Sequence, residues 1–368
     1  MSDRPAAWPV GFADGAENRA AVLALASVSA LSARRLLEVA AETGTASACL
    51  AAVKKRDFGG DVTRARLRDL DTEEVGRAVA ACGARVVPVG SEAYPVSLHD
   101  LADPPLCLFV RGGDLREIGH AISIVGARRC SAVGKEVAQA LGRGLAAAGV
   151  TVVSGGAIGI DTASHEGALA AGGLTVAVLG CGIDTAYPPR NRKLLDRIAA
   201  NGAVISEYPP GVPPEAFHFP ARNRIVAALG EAVVVVEGRG GSGSLITADH
   251  ALDLGRQVYA VPGAVNNPLA EVPLGLIRDG AGMIRGAEDL LADTGRLDPG
   301  GPPPIPRGLS EQEEAVLALL AGPTLPEHLA RSLGLELADV LRILLGLELR
   351  GVVRSVGGRF ELRLGGTS

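Results

Sequence analysis

The chain has 368 residues, of which 47% are hydrophobic and only 3% aromatic, with 49 glycines, 23 prolines and a formal net charge of −5. Such a length allows two or three domains with at least one large core, built here from Ala, Val, Leu and Ile. The acidic balance excludes a surface that is basic throughout but leaves room for a local basic cleft. Five dispersed cysteines (Cys49, Cys82, Cys107, Cys130 and Cys181) show no Cys-x-x-Cys or zinc-knuckle spacing and read as small buried hydrophobes kept reduced.

The opening MSDRPAAWPVGFADG lacks the basic, apolar, small-residue order of a signal peptide. The longest uncharged runs, such as 144–160, are broken by glycine and switch period halfway. We therefore expect a cytoplasmic protein without a membrane span. Residues 1–80 read as a small helical domain of the SAM or helix-hairpin-helix kind, with apolar residues at helical spacing and Ser32 as an N-cap for a helix through Leu37. A phosphate-gripping hairpin would want glycines where this chain has SVSALS, so a packing or partner module is the expected role.

From Arg85 the texture changes. ARVVPVG and LCLFVRG read as strands, followed by a regular alternation of strands (121–126, 150–155, 174–180, 203–208, 232–238 and 257–263) with helical stretches. In the first of those stretches Val133, Val137, Leu141 and Leu145 recur every fourth residue. Strands apolar on both faces and alternating with helices imply a parallel sheet covered on both sides. The fold class expected is α/β, a Rossmann-like doubly wound, mostly parallel sheet over 81–297, with ligands outside the carboxyl ends of its strands. A proline- and glycine-rich linker, 298–309, leads to a tail, 310–368. There, a capping box at Ser310 and Glu313, two further helices and a hairpin turning at Gly357-Gly358 make a winged helix. Its presumed recognition helix carries Glu336, Asp339 and Glu348 against Arg342 and Arg350, a poor set for reading duplex DNA.

Three strand-to-helix loops should meet at one edge of the sheet: 126–129, 154–161 and 238–243. The last follows Val233 to Val236 and opens a helix near Ser244. Glycines admit close backbone approach, and a helix start offers unpaired donors, so such loops cradle anions. Around them fall the segments 187–192 and 219–224, which bring several arginines. Gly238, Gly240 and Gly243 match G-x-G-x-x-G, but the next strand ends Tyr259-Ala260-Val261-Pro262 without the acid that would hold a ribose. Gly134-Lys135 lacks the upstream glycine of a Walker loop. His165 reads as a hydrogen-bonding helix residue and Asp161 as a helix cap.

The residues resemble the DNA processing protein A (DprA, or Smf) family from about Tyr94 to Ala281. The resemblance rests on YP at 94–95, DPP at 103–105, SGGAIGIDTASHEGAL at 154–169, AVLGCGIDTAYPPRN at 177–191, SEYPPG at 206–211, FHFPARNRIVAALG at 217–230, GSLITADHAL at 243–252 and VPG at 261–263. It implies a single-stranded DNA-binding protein that protects incoming strands and loads RecA recombinase onto them in natural transformation and recombination. It further implies a homodimer through the Rossmann domain, with single-stranded DNA-binding protein as a further partner. No cofactor, metal or enzymatic activity is expected. Carried over by position, the DNA contacts would be Arg128, Ser154, Gly155, Gly156, Arg190, Asn191, Phe219, Arg222, Asn223, Arg224, Gly241, Ser242, Gly243 and Ser244. The first loop departs from the family at Ala127, where a serine is usual, and 269–277 lacks a glycine and a polar residue often found before its Leu-Ile pair.

With four arginine contacts, log K should fall against log salt with a slope of about −3, and with few aromatics only Tyr187, Phe217 and Phe219 can stack on bases. Two rivals belong to other classes. A LOG-type nucleotide phosphoribohydrolase would want a carboxylate where this chain has Thr247. A nucleotide-sensing regulator would want its winged helix to read duplex DNA.

Overall fold

The computed structural model describes residues 7–28, 33–55, 65, 67–296, 310–320, 324–349, 352–356 and 358–362. The expected N-cap Ser32, the linker 298–309, Arg350 and the turn residue Gly357 lie outside the described residues. The chain divides into two compact units, Met1–Arg296 and Leu297–Ser368.

In the first unit, helices α1 (Gly15–Ala26), α2 (Ala33–Thr43), α3 (Ala46–Lys55) and α4 (Thr72–Ala81) precede strands β1 (Ala84–Pro88) and β2 (Cys107–Gly112). The alternation then runs β3 (Ala121–Val125), α5 (Ala132–Ala147), β4 (Thr151–Ser154), α6 (Ile160–Ala170), β5 (Thr175–Leu179), α7 (Arg192–Asn201) and β6 (Ala203–Ser206). It continues with α8 (His218–Leu229), β7 (Ala232–Val235), α9 (Gly243–Asp253), β8 (Gln257–Ala260), α10 (Glu271–Arg278), β9 (Gly282–Met283) and α11 (Ala287–Asp293). The sheet order is β1-β2-β6-β5-β4-β3-β7-β8-β9. Strands β3 to β9 pair parallel, while β2 joins β6 antiparallel and β1 joins β2 antiparallel. This is the doubly wound α/β sheet expected. The two-residue β9 had no signal in the sequence, being too short for any alternation to show.

The valine run explains how the sheet is covered. Val233 and Val235 enter the core that also holds α8 and the N-terminal helices, whereas Val234 and Val236 enter the core under α5 and α11. Side chains alternate across a strand, so a strand buried on both faces must be apolar at every position. The N-terminal helices share their core with β1 and β2 (Val22, Leu25, Leu37 and Val87 are all buried in it), so the segment expected as a domain of its own lies within the first compact unit.

Helix α5 corrects the every-fourth-residue reading. Val133 is 68% exposed, and the buried positions are Gly134, Ala138, Leu141, Gly142, Leu145 and Ala146. A 3.6-residue period drifts from a spacing of four, and the true contact face is built from small residues. A Cβ on Gly142 would strike the carbonyl of Ser164, and one on Gly167 the carbonyl of Gln139. Glycines here let α5 and α6 pack backbone to backbone, which suits a chain with few large side chains. Among the described residues no single helix is long and apolar enough to cross a membrane.

The second unit holds α12 (Glu311–Ala318), α13 (Pro326–Leu333), α14 (Leu337–Leu349) and the hairpin β10 (Val353–Val356) and β11 (Arg359–Leu362). Ser310 and Glu313 form the capping box. Thr324 bridges to Phe360, adding a third partner to the hairpin. This is a winged helix. On α14, Asp339 pairs with Arg342 at 2.8 Å and Glu348 accepts the Ser355 N–H at 3.0 Å.

His165 on α6 is buried, and its Nδ1 lies 2.7 Å from the Thr175 hydroxyl, which itself donates to the Val152 carbonyl. The imidazole therefore donates through Nδ1. Burial, aided by the charge of Arg222, pushes its pKa down to about 3. Below an ordinary value of about 6.5 the unfolded chain takes up a proton that the folded chain refuses. Stability is then lost as pH falls from about 6.5 toward 3, by up to about 1.4 kcal/mol per pH unit. In denaturant melts between pH 7 and 5, His165→Gln is expected to lose less stability on acidification than the parent; equal losses would show that His165 is not the group responsible.

Candidate nucleic-acid groove

Strand order reverses between β3 and β7: the chain moves outward through β4, β5 and β6 on one side and through β8 and β9 on the other. At such a switch point the loops diverge and leave a crevice. Here it is a groove of about 640 Å³ that brings together Arg128, Gly155, Asp161, Phe219, Arg222, Asn223 and the 241–244 turn. All three expected loops reach it, together with the segment around Phe219. Loop one and loop two touch directly, the Ile160 N–H donating to the Ala127 carbonyl at 3.3 Å.

The donors are not equally available. Helix α9 begins at Gly243 with Ser242 as its N-cap, and the Ser242 side chain makes no hydrogen bond to the helix start. Its hydroxyl instead meets that of Ser244 at 2.7 Å. The Leu245 amide of this first turn donates to the Ser242 carbonyl at 3.1 Å, while the turn at 241–244 lines the groove without a side-chain cap, with the positive end of the helix dipole behind it. Asn223 supports this turn, its Nδ2 donating to the Gly243 carbonyl at 3.0 Å. Elsewhere the chain supplies its own anions. The Gly240 N–H donates to Glu271 at 3.0 Å and the Ala157 N–H to Asp161 at 3.2 Å. In loop two, expected to offer amides from Gly155 and Gly156, the same Asp161 carboxylate thus engages the Ala157 amide. Asp161 lies inside α6 and holds the loop ahead of it; the N-cap is Gly159.

The arginines sort by depth. Arg222 is 4% exposed and donates to the Gly155 carbonyl at 2.5 Å and to the Val178 carbonyl. Burial pulls its pKa down to about 10, opposed by the charge of Asp161. A Cβ on Gly155 would sit 2.6 Å from its Nη2, so glycine is what admits the guanidinium. Its Nη2 has no hydrogen bond among the described residues, and the side chain lines the groove. Arg224 is different. It is 7% exposed and bound to Asp103 at 3.0 Å and Glu207 at 2.7 Å, outside the groove lining. Burial opposes its charge, but Glu207 and Asp103 outweigh that and hold its pKa above the ordinary range. Arg224, expected among the ligand contacts, is placed by the structure in a buried ion pair away from the groove lining.

Three further expected residues are structural. The Ser154 hydroxyl donates to the Ile124 carbonyl at 2.6 Å and is buried. Gly156 packs toward Leu179 and Leu195. Asn191 is buried and donates to the Gly156 carbonyl and the Thr162 hydroxyl, both at 2.9 Å. These residues shape loop two and do not line the groove.

Arg128 and Arg190 are exposed and have no ion-pair partner among the described residues. Arg128 lies over the Phe219 ring, 5.3 Å from its centroid, and Tyr187 packs on the same ring at 5.2 Å. Phe217, the N-cap of α8, is exposed and packs against His218. A cation held on an aromatic face at the mouth of a groove, with amides at its far wall, suits a phosphate flanked by a base. Thr247, at the place where a hydrolase would carry its acid, bonds to its own helix at the Gly243 carbonyl, 3.3 Å away. Arg224→Met is expected to cost about 3 kcal/mol, the low end for breaking a buried pair because Asp103 is partly exposed. Arg128→Met should stay within about 0.5 kcal/mol of the parent. Equal losses in urea unfolding would contradict the assignment.

The sequence and fold compare closely with known proteins. The family model described as DNA recombination-mediator protein A matches residues 85–295, and that of the DprA winged helix domain matches residues 300–359. DNA processing protein DprA of Bacillus subtilis is 42% identical over 212 residues, covering 57% of this chain and 71% of that protein. Protein Smf of Escherichia coli is 37% identical over 289 residues, 76% of this chain and 77% of its own. The X-ray structure of DprA from Streptococcus pneumoniae aligns at TM-score 0.66 and 33% identity, over 76% of this chain and 98% of that one. DNA processing protein A from Helicobacter pylori, whose structure concerns its single-stranded DNA binding mode, aligns at TM-score 0.53 and 30% identity, over 58% and 97%. Matched through its sheet, its loop motifs and its tail, the chain belongs to the DNA recombination-mediator protein A family, DprA/Smf.

Proposed function

We propose that this protein binds single-stranded DNA through the strand's backbone at the switch-point groove, without chemistry, and passes it to RecA recombinase during recombination and natural transformation. The observation that carries the binding reading is the pairing of an uncapped α9 N-terminus with Arg128 held over Phe219 across the same groove. Amides and a guanidinium recognise phosphate whatever the base, and Phe219, Tyr187 and Phe217 offer sequence-tolerant stacking. The single-stranded DNA named for the Helicobacter pylori relative supports the same ligand here. The hand-off to RecA, a further contact with single-stranded DNA-binding protein, the homodimer through the sheet domain and the cytoplasmic setting are part of the same proposal, which family membership supports. For the winged helix the proposed role is protein contact or packing, since α14 carries acids where a duplex-reading helix brings basic and amide side chains.

With Arg224 removed from the count, Arg128 and Arg222 of the groove and the exposed Arg190 outside its lining remain, and log K should fall against log salt with a slope of about −2, from roughly 0.7 per phosphate. Binding of the full chain to single- and double-stranded oligonucleotides across a salt series tests this. Arg128→Ala is expected to weaken single-strand binding at least about tenfold at low salt, the loss of one charged contact. Equal affinity for both strand forms, or an unchanged Arg128→Ala, would remove the groove as the site.

A further inference from the structure

Two helices border the groove and then leave it, α7 on the Tyr187 side and α9 on the other, and their outer faces carry opposite charge. Tyr187 lines the groove and packs on Phe219, and the chain passes from it through Arg190 and Asn191 into α7. Asn191 ties this start to loop two through the Gly156 carbonyl and the Thr162 hydroxyl. Because α7 connects the parallel strands β5 and β6, it runs from the carboxyl edge of the sheet back to the amino edge. Leu194, Leu195 and Ile198 are buried and fix which side of the helix is turned inward. The outward side carries Arg192, Lys193, Asp196 and Arg197, all exposed. The acid among them is already spent, since Asp196 pairs with Arg111 of β2 at 2.7 Å. Arg192, Lys193 and Arg197 have no ion-pair partner among the described residues. Lys193 and Arg197 are four apart and so stand one above the other, about 5–6 Å between Cβ atoms. Helix α9 is the reverse case. It exposes Asp249 and Asp253 one turn apart and contains no lysine or arginine.

We propose that the outward face of α7 is a second nucleic-acid contact, a track along which a single strand continues after the switch-point groove. The proposal rests on the single-strand reading of the groove and adds the direction in which the strand leaves it. In a chain of net charge −5, three unpaired cations on one helix face, joined to the groove through the exposed Arg190, form a local basic stripe. Phosphates that pass Tyr187 are drawn along α7, whereas those directed along α9 meet Asp249 and Asp253. The α7 sequence RKLLDRIAAN holds no aromatic residue, so the track grips phosphate without stacking on bases and carries no base preference. It therefore adds affinity and salt dependence only to strands long enough to reach it.

The test measures binding of the full chain to oligothymidines of about five and about twenty nucleotides across a salt series, the first long enough for the groove and the second for groove and track. In the parent, the slope of log K against log salt is expected to be steeper by about 2 for the long strand, from three phosphates at roughly 0.7 each. Arg192→Gln/Lys193→Gln/Arg197→Gln should return the long strand to the slope of the short one and weaken it at least about tenfold at low salt, with short-strand affinity within about threefold of the parent. Lys54→Gln/Lys55→Gln, which removes exposed cations of α3, should leave both strands as in the parent. A folded triple variant that keeps the parent's long-strand slope overturns the proposal, and so does an equal loss in the α3 variant. Should the triple variant fail to fold, Lys193→Gln/Arg197→Gln is read in the same way, with a slope change of about 1.4 expected. Failure of the parent to bind the short strand, or an unchanged short-strand affinity in Arg128→Ala, would remove the groove reading and the track with it, whereas intact short-strand binding with no α7 effect removes the track alone.

Discussion

Everything at the candidate site depends on the reversal of strand order between β3 and β7. Neighbouring parallel strands normally send their connections to the same side, and a helix then covers the strand ends. Here the chain leaves β3 toward β4 and leaves β7 toward β8, so the loops part and no helix closes the gap. Three loops, the start of α9 and the flank of α8 all border that gap. The chain's low aromatic content makes the arrangement tight, because α5 and α6 approach through glycine and set loop two against loop one.

Several amides at the carboxyl edge of the sheet are already bonded to the chain's own carboxylates. Asp161 holds the Ala157 amide of loop two, Glu271 holds the Gly240 amide, and Glu237 covers the start of α5. Each internal bond makes a loop rigid and removes a donor that a ligand could use. What remains is the first turn of α9 at one wall and Arg128 on Phe219 at the other. Arg222 sits between, half structural, since it satisfies the buried carbonyls of Gly155 and Val178 while lining the groove. Burial penalises this charge and pulls its pKa down, and the bonds to the two carbonyls and the nearby Asp161 charge offset part of that cost. Arg224, two residues on, points the other way around the same helix and is consumed by Asp103 and Glu207.

Much of this was legible in the sequence, for particular reasons. The run Val233 to Val236 specifies a strand buried on both faces, because no amphipathic alternative accommodates it. The glycine loop after it and the capping box at Ser310 are local chemistry, decided by residues close in sequence. Arg128 lines the groove, and its place at the carboxyl edge of the sheet is readable because it follows a strand end directly. The face of α5 was misread at Val133, since the burying residues are alanine and glycine and carry no hydrophobic period. Glu237 was passed over, although its position immediately after four valines put a carboxylate at the carboxyl edge of the sheet.

The sequence by itself determined the element types, the doubly wound order and the edge at which the loops meet, because these follow from residue spacing and backbone preference along the chain. Only the tertiary structure decided which arginine faces the groove and which is spent in the interior, and which amides stay free. Those outcomes depend on partners far away in sequence: Asp103 for Arg224, Glu271 for Gly240, Glu237 for Ser131. A charge is available to a ligand only when no opposite charge has already claimed it, and that is settled by packing.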